Sequence, residues 1–235
     1  MTRGSESVST SSTDIQFFSQ ERPILTTLKP LLAKNRSWAL QRRQRHPHYF
    51  KQHVSVQKPH SLWIGCSDSR VPAEVLTGSS PGELFVHRNI ANMVSHEDDN
   101  FMSVLQYALE YLRVSRIVLC GHYCCGGVQA AIELPTMALD QENSALSRRI
   151  TSLRSTLLPH LSDHQRQESE ETPDEQRNRL VEANVREQFT RLVHAPPVIK
   201  AWEDGMELSV FGCVYDLHNG HLKELIHQSN GEGAA

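Results

Sequence analysis

Four short apolar runs rich in β-branched residues constrain the chain most: 61–66 (SLWIGC), 83–87 (ELFVH), 116–121 (RIVLCG) and 207–214 (ELSVFGCV). Each is nearly continuous in apolar character and bounded by Gly, Pro or Ser, the pattern of a strand buried on both faces. Between the second and third runs, 100–114 (NFMSVLQYALEYLRV) has apolar residues at 101, 104, 105, 108, 109 and 112, one face of a helix. Strand, helix and strand in alternation predict an α/β fold, with a mostly parallel central sheet of about four or five strands flanked by helices. Further helices are expected over 146–161 and 178–193, and Asn219-Gly220 supplies the tight turn of a short hairpin at the sheet edge. The acidic segment 168–175 reads as a solvated loop or a helix start.

A chain of 235 residues is long enough to bury a sizeable core as one domain. The Ser- and Thr-rich opening, MTRGSESVSTSST, has no apolar stretch of the secretory kind, so 1–22 is expected to be a disordered tail ahead of a single domain over 23–230. A net charge of −3 leaves no excess of positive charge for phosphate backbones, so no nucleic-acid partner is expected. The basic cluster Arg36, Arg42, Arg43 and Arg45 shares a helix with Trp38 and Leu40 and reads as a solvated face or a subunit contact. No apolar run reaches the length of about 18 residues that a membrane span needs. Five cysteines are an odd count in a chain too large to need stapling, which favours reduced thiols and a cytoplasmic setting. The Ser-rich opening leaves a mitochondrial address open.

The chemistry concentrates where two strands end. The first run leads into Cys66-Ser67-Asp68-Ser69-Arg70, and the third into Gly121-His122-Tyr123-Cys124-Cys125-Gly126-Gly127. Carboxyl ends of neighbouring parallel strands are where open α/β sheets carry their sites. Two thiolates and an imidazole suit zinc, and three protein ligands leave the fourth tetrahedral position of a catalytic ion. Cys66, His122 and Cys125 are the candidates, His122 and Cys125 sharing the face of a first helical turn at i and i+3. Cys124 competes at His-x-Cys spacing, and Cys125 is preferred because a residue at i+2 points away. Asp68 can occupy the fourth position or pair with Arg70, whose planar fork holds a carboxylate bidentately. Cys120 and Cys213 read as core residues, and His87, His96, His194 and His218 lack a partner at ligand spacing.

CSDSRV followed by GHYCCGGV resembles the β-class carbonic anhydrases, whose pattern is Cys-x-Asp-x-Arg and then His-x-x-Cys-Gly-Gly. The flanking ELFVHRNIAN, SVLQYALEYL and YDLHNG agree, and the likeness runs from about Gln57 to the C-terminus. It implies one zinc per chain on Cys66, His122 and Cys125, and hydration of CO2 to bicarbonate by a zinc-bound hydroxide that Asp68 and Arg70 orient. It also implies a CO2 pocket lined by Gln57, Phe85, Tyr107 and Gly126 across a subunit interface. A homodimer or homotetramer follows, with N-terminal helices extending to a neighbouring subunit. Trp63, Arg88 and Tyr215 match a triad that in one branch binds bicarbonate away from the metal, where Asp68 would ligate zinc in a closed state only. A hydrolase of CS2 or COS on the same scaffold, or a non-catalytic zinc-stabilised module, are the alternatives.

Overall fold

The computed structural model describes residues 27–164 and 171–230, and the expected tail over 1–22 lies outside them. By its contacts the chain divides into two units, Met1–Gln52 and His53–Ala235. In the first, α1 (Lys29–Arg45) carries Pro30 in its first turn and ends in Arg42, Arg43 and Arg45, cations that suit the negative end of a helix dipole. None of its residues is buried. Arg42 lies over the rings of Trp38 and Tyr49, 5.9 and 5.4 Å from their centroids, so this basic cluster is part solvated face and part cation–π stack.

In the second unit all four expected strands form: β1 (Ser61–Cys66), β2 (Leu84–Asn89), β3 (Arg116–His122) and β4 (Ser209–Tyr215). β5 (Leu222–Ser229), the second arm of the hairpin, pairs antiparallel to β4 and completes a sheet of order β2-β1-β3-β4-β5. The other three pairings are parallel, with Cys66 level with Asn89, Gly65 with Cys120, and His122 with Tyr215. β1 is buried along its whole length because both faces are covered. Leu62 and Ile64 enter the main core with Ile117, Leu119 and Val210, while Trp63 and Cys120 form a smaller cluster on the opposite face with Ala73.

Between β1 and β2 lies α2 (Ala73–Thr77), and after β2 comes α3 (Asp99–Gln106), whose N-cap Asp98 accepts from the Asn100 and Phe101 amides at 3.0 and 3.2 Å. The 100–114 pattern predicts an α-helix throughout, but from Tyr107 to Tyr111 the turn widens to π geometry, closing with Leu112 N–H on the Tyr107 carbonyl at 3.0 Å. α4 (Gly126–Glu133) opens directly on the Gly-Gly pair, and α5 (Ala145–His164) carries the 146–161 pattern through Pro159. α6 (Pro173–Val193) starts earlier than the apolar pattern, because Thr172 and Glu175 form a reciprocal capping box with Pro173 at the first helical position. The C-terminal part of the acidic segment is therefore a helix start, and 165–170 lies outside the described residues. α6 packs over β3 and β4, and α7 (Pro196–Glu203) follows it.

Candidate metal centre

Parallel register brings the two motifs to one end of the sheet. Backbone bonds continue past the strand ends, Ser67 N–H to the Asn89 carbonyl at 2.9 Å and Tyr123 N–H to the Tyr215 carbonyl at 3.0 Å, so the residues after Cys66 and His122 stay tied to the neighbouring strands. The ligand atoms of Cys66, His122 and Cys125 lie within 4.8 Å of one another, all three residues buried, the one such group among the described residues. His122 and Cys125 do not meet on a helical turn. His122 ends β3, Cys125 is the extended N-cap of α4, and between them Cys124 takes a left-handed φ of 56°. That turn, rather than an i to i+3 relation, swings Cys125 back to the histidine. It also carries the Cys124 sulfur away, 3.9 Å from an Arg177 guanidinium nitrogen.

The donor set suits a soft divalent ion. His122 is 1 % exposed; its Nδ1 bonds the Tyr123 carbonyl at 2.9 Å, leaving Nε2 buried with no hydrogen-bond partner. Burying such a nitrogen unbonded is costly, and a metal is the partner that would satisfy it. Tyr123 is itself held, its hydroxyl donating to Glu182, which also accepts from Lys223 Nζ at 2.9 Å. The Cys66 thiol is drawn down to about 4, first by the neighbouring Cys125 thiol and then by His122, against the burial that raises it. The same proximity to Cys66, with burial, pushes Cys125 up. The two thiols are thus driven apart in acidity, and an ion bound between them would favour both as thiolates.

Asp68 stands beside this group without joining it. Its Oδ1 accepts from the Arg70 amide and Nε at 2.9 and 3.0 Å, and its Oδ2 from an Arg70 terminal nitrogen at 2.7 Å. Oδ2 also lies 3.8 Å from His122 Nε2. The Arg70 hydrogen bonds hold the Asp68 carboxyl down at about 2. Arg70 is anchored in turn by the Cys124 carbonyl at 3.1 Å. Beneath them Arg88 donates to the Cys66 carbonyl at 2.7 Å and to the Asp68 carbonyl, so it braces the loop that joins ligand and carboxylate. Trp63 and Tyr215 share the smaller core cluster on the face opposite the main core.

A cavity of about 390 Å³ opens on Cys66, Ser67 and Asp68. Its walls are Gly126, Gly127 and Ala130 from α4, Ile90 after β2, and Met137, Leu139, Leu146 and Ile150 around the start of α5. Of the four pocket residues named from sequence, only Gly126 lines it. Phe85 is level with Leu62, four residues before the Cys66–Asn89 pair, roughly 13 Å back along the strand at the usual rise. It packs instead against Tyr107, ring centroids 5.8 Å apart, and Tyr107 stacks on Tyr111 at 5.3 Å. Gln57 is exposed. The apolar walls escaped the sequence reading because Met137, Leu139, Leu146 and Ile150 carry no spacing that separates cavity lining from core. Ile90, next to β2 and half-exposed, is the one wall that a strand-end reading could have found.

A family model described as carbonic anhydrase matches residues 61–222. A carbonic anhydrase of Emericella nidulans is 38 % identical over 83 % of this chain and 82 % of its own length. One from Saccharomyces cerevisiae is 34 % identical over 84 % and 88 %. Among solved structures, a Coccomyxa β-carbonic anhydrase in complex with acetazolamide superposes with a TM-score of 0.76 at 35 % identity, covering 85 % of this chain and 86 % of that one. A tetrameric β-carbonic anhydrase of Sordaria macrospora does so with a TM-score of 0.75 at 35 % identity, covering 86 % and 99 %. Among the described residues no helix is long and apolar enough to cross a membrane.

Proposed function

The chain belongs to the β-carbonic anhydrase family, and on that premise we propose that it uses zinc to hydrate CO2 reversibly to bicarbonate and a proton, with Cys66, His122 and Cys125 as ligands and Asp68 and Arg70 as the orienting pair. The observation that carries the reading is the unpartnered, buried Nε2 of His122, grouped with the Cys66 and Cys125 thiols within 4.8 Å, beside a clamped carboxylate. A zinc ion held there, one per chain, would bring the pKa of a water molecule toward about 7 and so supply a nucleophile at neutral pH. Asp68, kept ionised by Arg70, would be the hydrogen-bond acceptor that orients such a nucleophile. The apolar walls, Ile90 among them, suit a substrate that offers no charge to grasp.

Phe85, Tyr107 and Tyr111 form an outward aromatic stack, with Tyr111 71 % exposed. We place this stack, with Gln57, against the pocket of a second copy, and α1, with Leu31, Leu32, Trp38 and Leu40 exposed, likewise on a neighbour. A reducing, cytoplasmic setting belongs to this reading, since thiol ligands must stay reduced to hold the ion. Gating by bicarbonate through Trp63, Arg88 and Tyr215 is part of the same reading. Arg88 supports it, because a ligand that drew its guanidinium off the Cys66 and Asp68 carbonyls would loosen the loop that carries Asp68. The test is a pair of variants, Asp68→Ala and Arg70→Ala, assayed by stopped flow with zinc quantified. Zinc content should stay at one per chain while kcat/KM falls by about 10²-fold or more. Undiminished hydration in both variants would overturn the role given to the pair.

A further inference from the structure

Helix α6 presents two amide side chains to the interior, Asn184 at 1 % and Gln188 at 0 % exposure. Buried amides are costly unless bonded, and these form a chain that ends on one loop. Gln188 Oε1 accepts from the Val94 N–H at 2.7 Å, Gln188 Nε2 donates to Asn184 Oδ1 at 3.1 Å, and Asn184 Nδ2 donates to the Ala91 carbonyl at 3.0 Å. Inside that loop Ala91 and Asn92 have φ of 60° and 45°, a left-handed conformation that side chains bearing a Cβ disfavour. From the strand side Asn89 clasps the same loop, its Nδ2 donating to the Met93 carbonyl and its Oδ1 accepting from the Met93 N–H, both at 2.8 Å. The residue carried by this turn is Ile90, a wall of the cavity over Cys66 and Asp68. Its fit is close, since a Cβ on Gly127 would stand 3.2 Å from both the Ile90 and the Ala91 side chains.

A strained turn placed to that tolerance needs something to hold it, and the two amides make no hydrogen bond to the metal ligands or to the Asp68–Arg70 pair. We infer that Asn184 and Gln188 are positioning residues for CO2: they hold the left-handed 91–92 turn so that Ile90 forms the apolar wall beside the nucleophile. The substrate named rests on the carbonic anhydrase reading. Loss of the strap lets the turn relax toward negative φ and withdraws the wall, which weakens substrate capture and leaves the metal centre as it was.

The test uses the full, zinc-loaded chain. In Asn184→Ala the KM for CO2 is expected to rise about five- to tenfold with kcat within about twofold and zinc at one per chain. Amide hydrogen exchange over 90–94 should quicken in parallel. Adding Ala91→Gly, which removes the left-handed strain at 91 and leaves only Asn92, a residue type that tolerates that region, should bring KM back to within about twofold of the parent, a rescue that simple core damage would not show. If Asn184→Ala does not fold, Ile90→Ala, at a half-exposed position, should raise KM by itself. A folded Asn184→Ala with unchanged KM and exchange, a raised KM that Ala91→Gly fails to lower, or an Ile90→Ala with the parent KM would each overturn the inference. A zinc-loaded parent that hydrates no CO2 would overturn the carbonic anhydrase reading instead, while exchange over 90–94 would still decide the strap.

Discussion

At the residue scale the centre depends on Cys124 in a way its spacing concealed. Its left-handed turn delivers Cys125 to His122, and its carbonyl holds Arg70. A residue with a Cβ pays about 1–2 kcal/mol for that conformation, whereas glycine adopts it freely at a smaller entropic cost. Cys124→Gly should therefore stabilise the zinc-loaded protein by about 1 kcal/mol, raising the thermal midpoint by about 2–4 °C. A fall in that midpoint would show that the contact of its sulfur with Arg177 outweighs the strain. The other thiols differ by burial. Cys213 is pushed up to about 11, chiefly by burial, from an ordinary value of 9.0. Its thiolate fraction near pH 8 is then about a hundredfold below that of a free cysteine. Iodoacetamide should label it correspondingly slowly at pH 8 and readily only as pH approaches 11, read by mass spectrometry of the folded protein. Fast labelling at pH 8 would contradict its burial. Residue identity made the grouping of Cys66, His122 and Cys125 and the pairing of Asp68 with Arg70 legible, because soft ligands and a fixed cation are rare neighbours at strand ends. The geometry that joins them was not legible, since a left-handed cysteine has no signature in composition or periodicity.

At the element scale the strands were readable because burial on both faces leaves continuous apolar runs, as in SLWIGC. The second arm of the hairpin was harder. β5 is an edge strand whose exposed Leu222, Lys223 and Glu224 break the apolar pattern, and only the Asn219-Gly220 turn announced it. The π turn at 107–111 was invisible for a related reason, since 3.6-residue spacing is kept up to the point where the hydrogen bonds shift. α6 was recognised by its apolar face, yet its functional content is polar: Asn184 and Gln188 interrupt that face and look like surface residues in a sequence. α6 also fits closely on β3, where a Cβ at Gly121 would lie 2.6 Å from Val185 Cγ2. Gly121→Ala, one residue before His122, should cost about 1–3 kcal/mol by forcing helix and strand apart. It should also weaken zinc retention against a chelator, whereas an unchanged urea midpoint would show that the helix yields without strain. Thr172→Ala removes the capping box at the helix start and should cost about 1 kcal/mol with metal retention unaffected. Comparing the two variants separates stability of α6 from its registry against the ligand strand.

At the scale of the whole molecule, one chain brings three candidate ligands to one open pocket, while the rings of Tyr107 and Tyr111 are exposed. An assembly in which Phe85, Tyr107 and Tyr111 of one copy close the pocket of another uses both surfaces, and a tetrameric relative from Sordaria macrospora shows that the fold assembles. Tyr107→Arg should shift the protein to smaller species in sedimentation and lower kcat/KM about tenfold or more, since a charge replaces an aromatic wall at a shared site. Unchanged assembly and turnover would remove Tyr107 from the interface. All of this depends on the reaction itself, and the most direct measurement is stopped-flow CO2 hydration by the zinc-quantified parent protein, with CS2 and COS assayed alongside. The account predicts CO2 hydration at one zinc per chain, far exceeding any turnover of the sulfur analogues. Full zinc occupancy with no CO2 hydration, or with turnover of CS2 or COS alone, would contradict it.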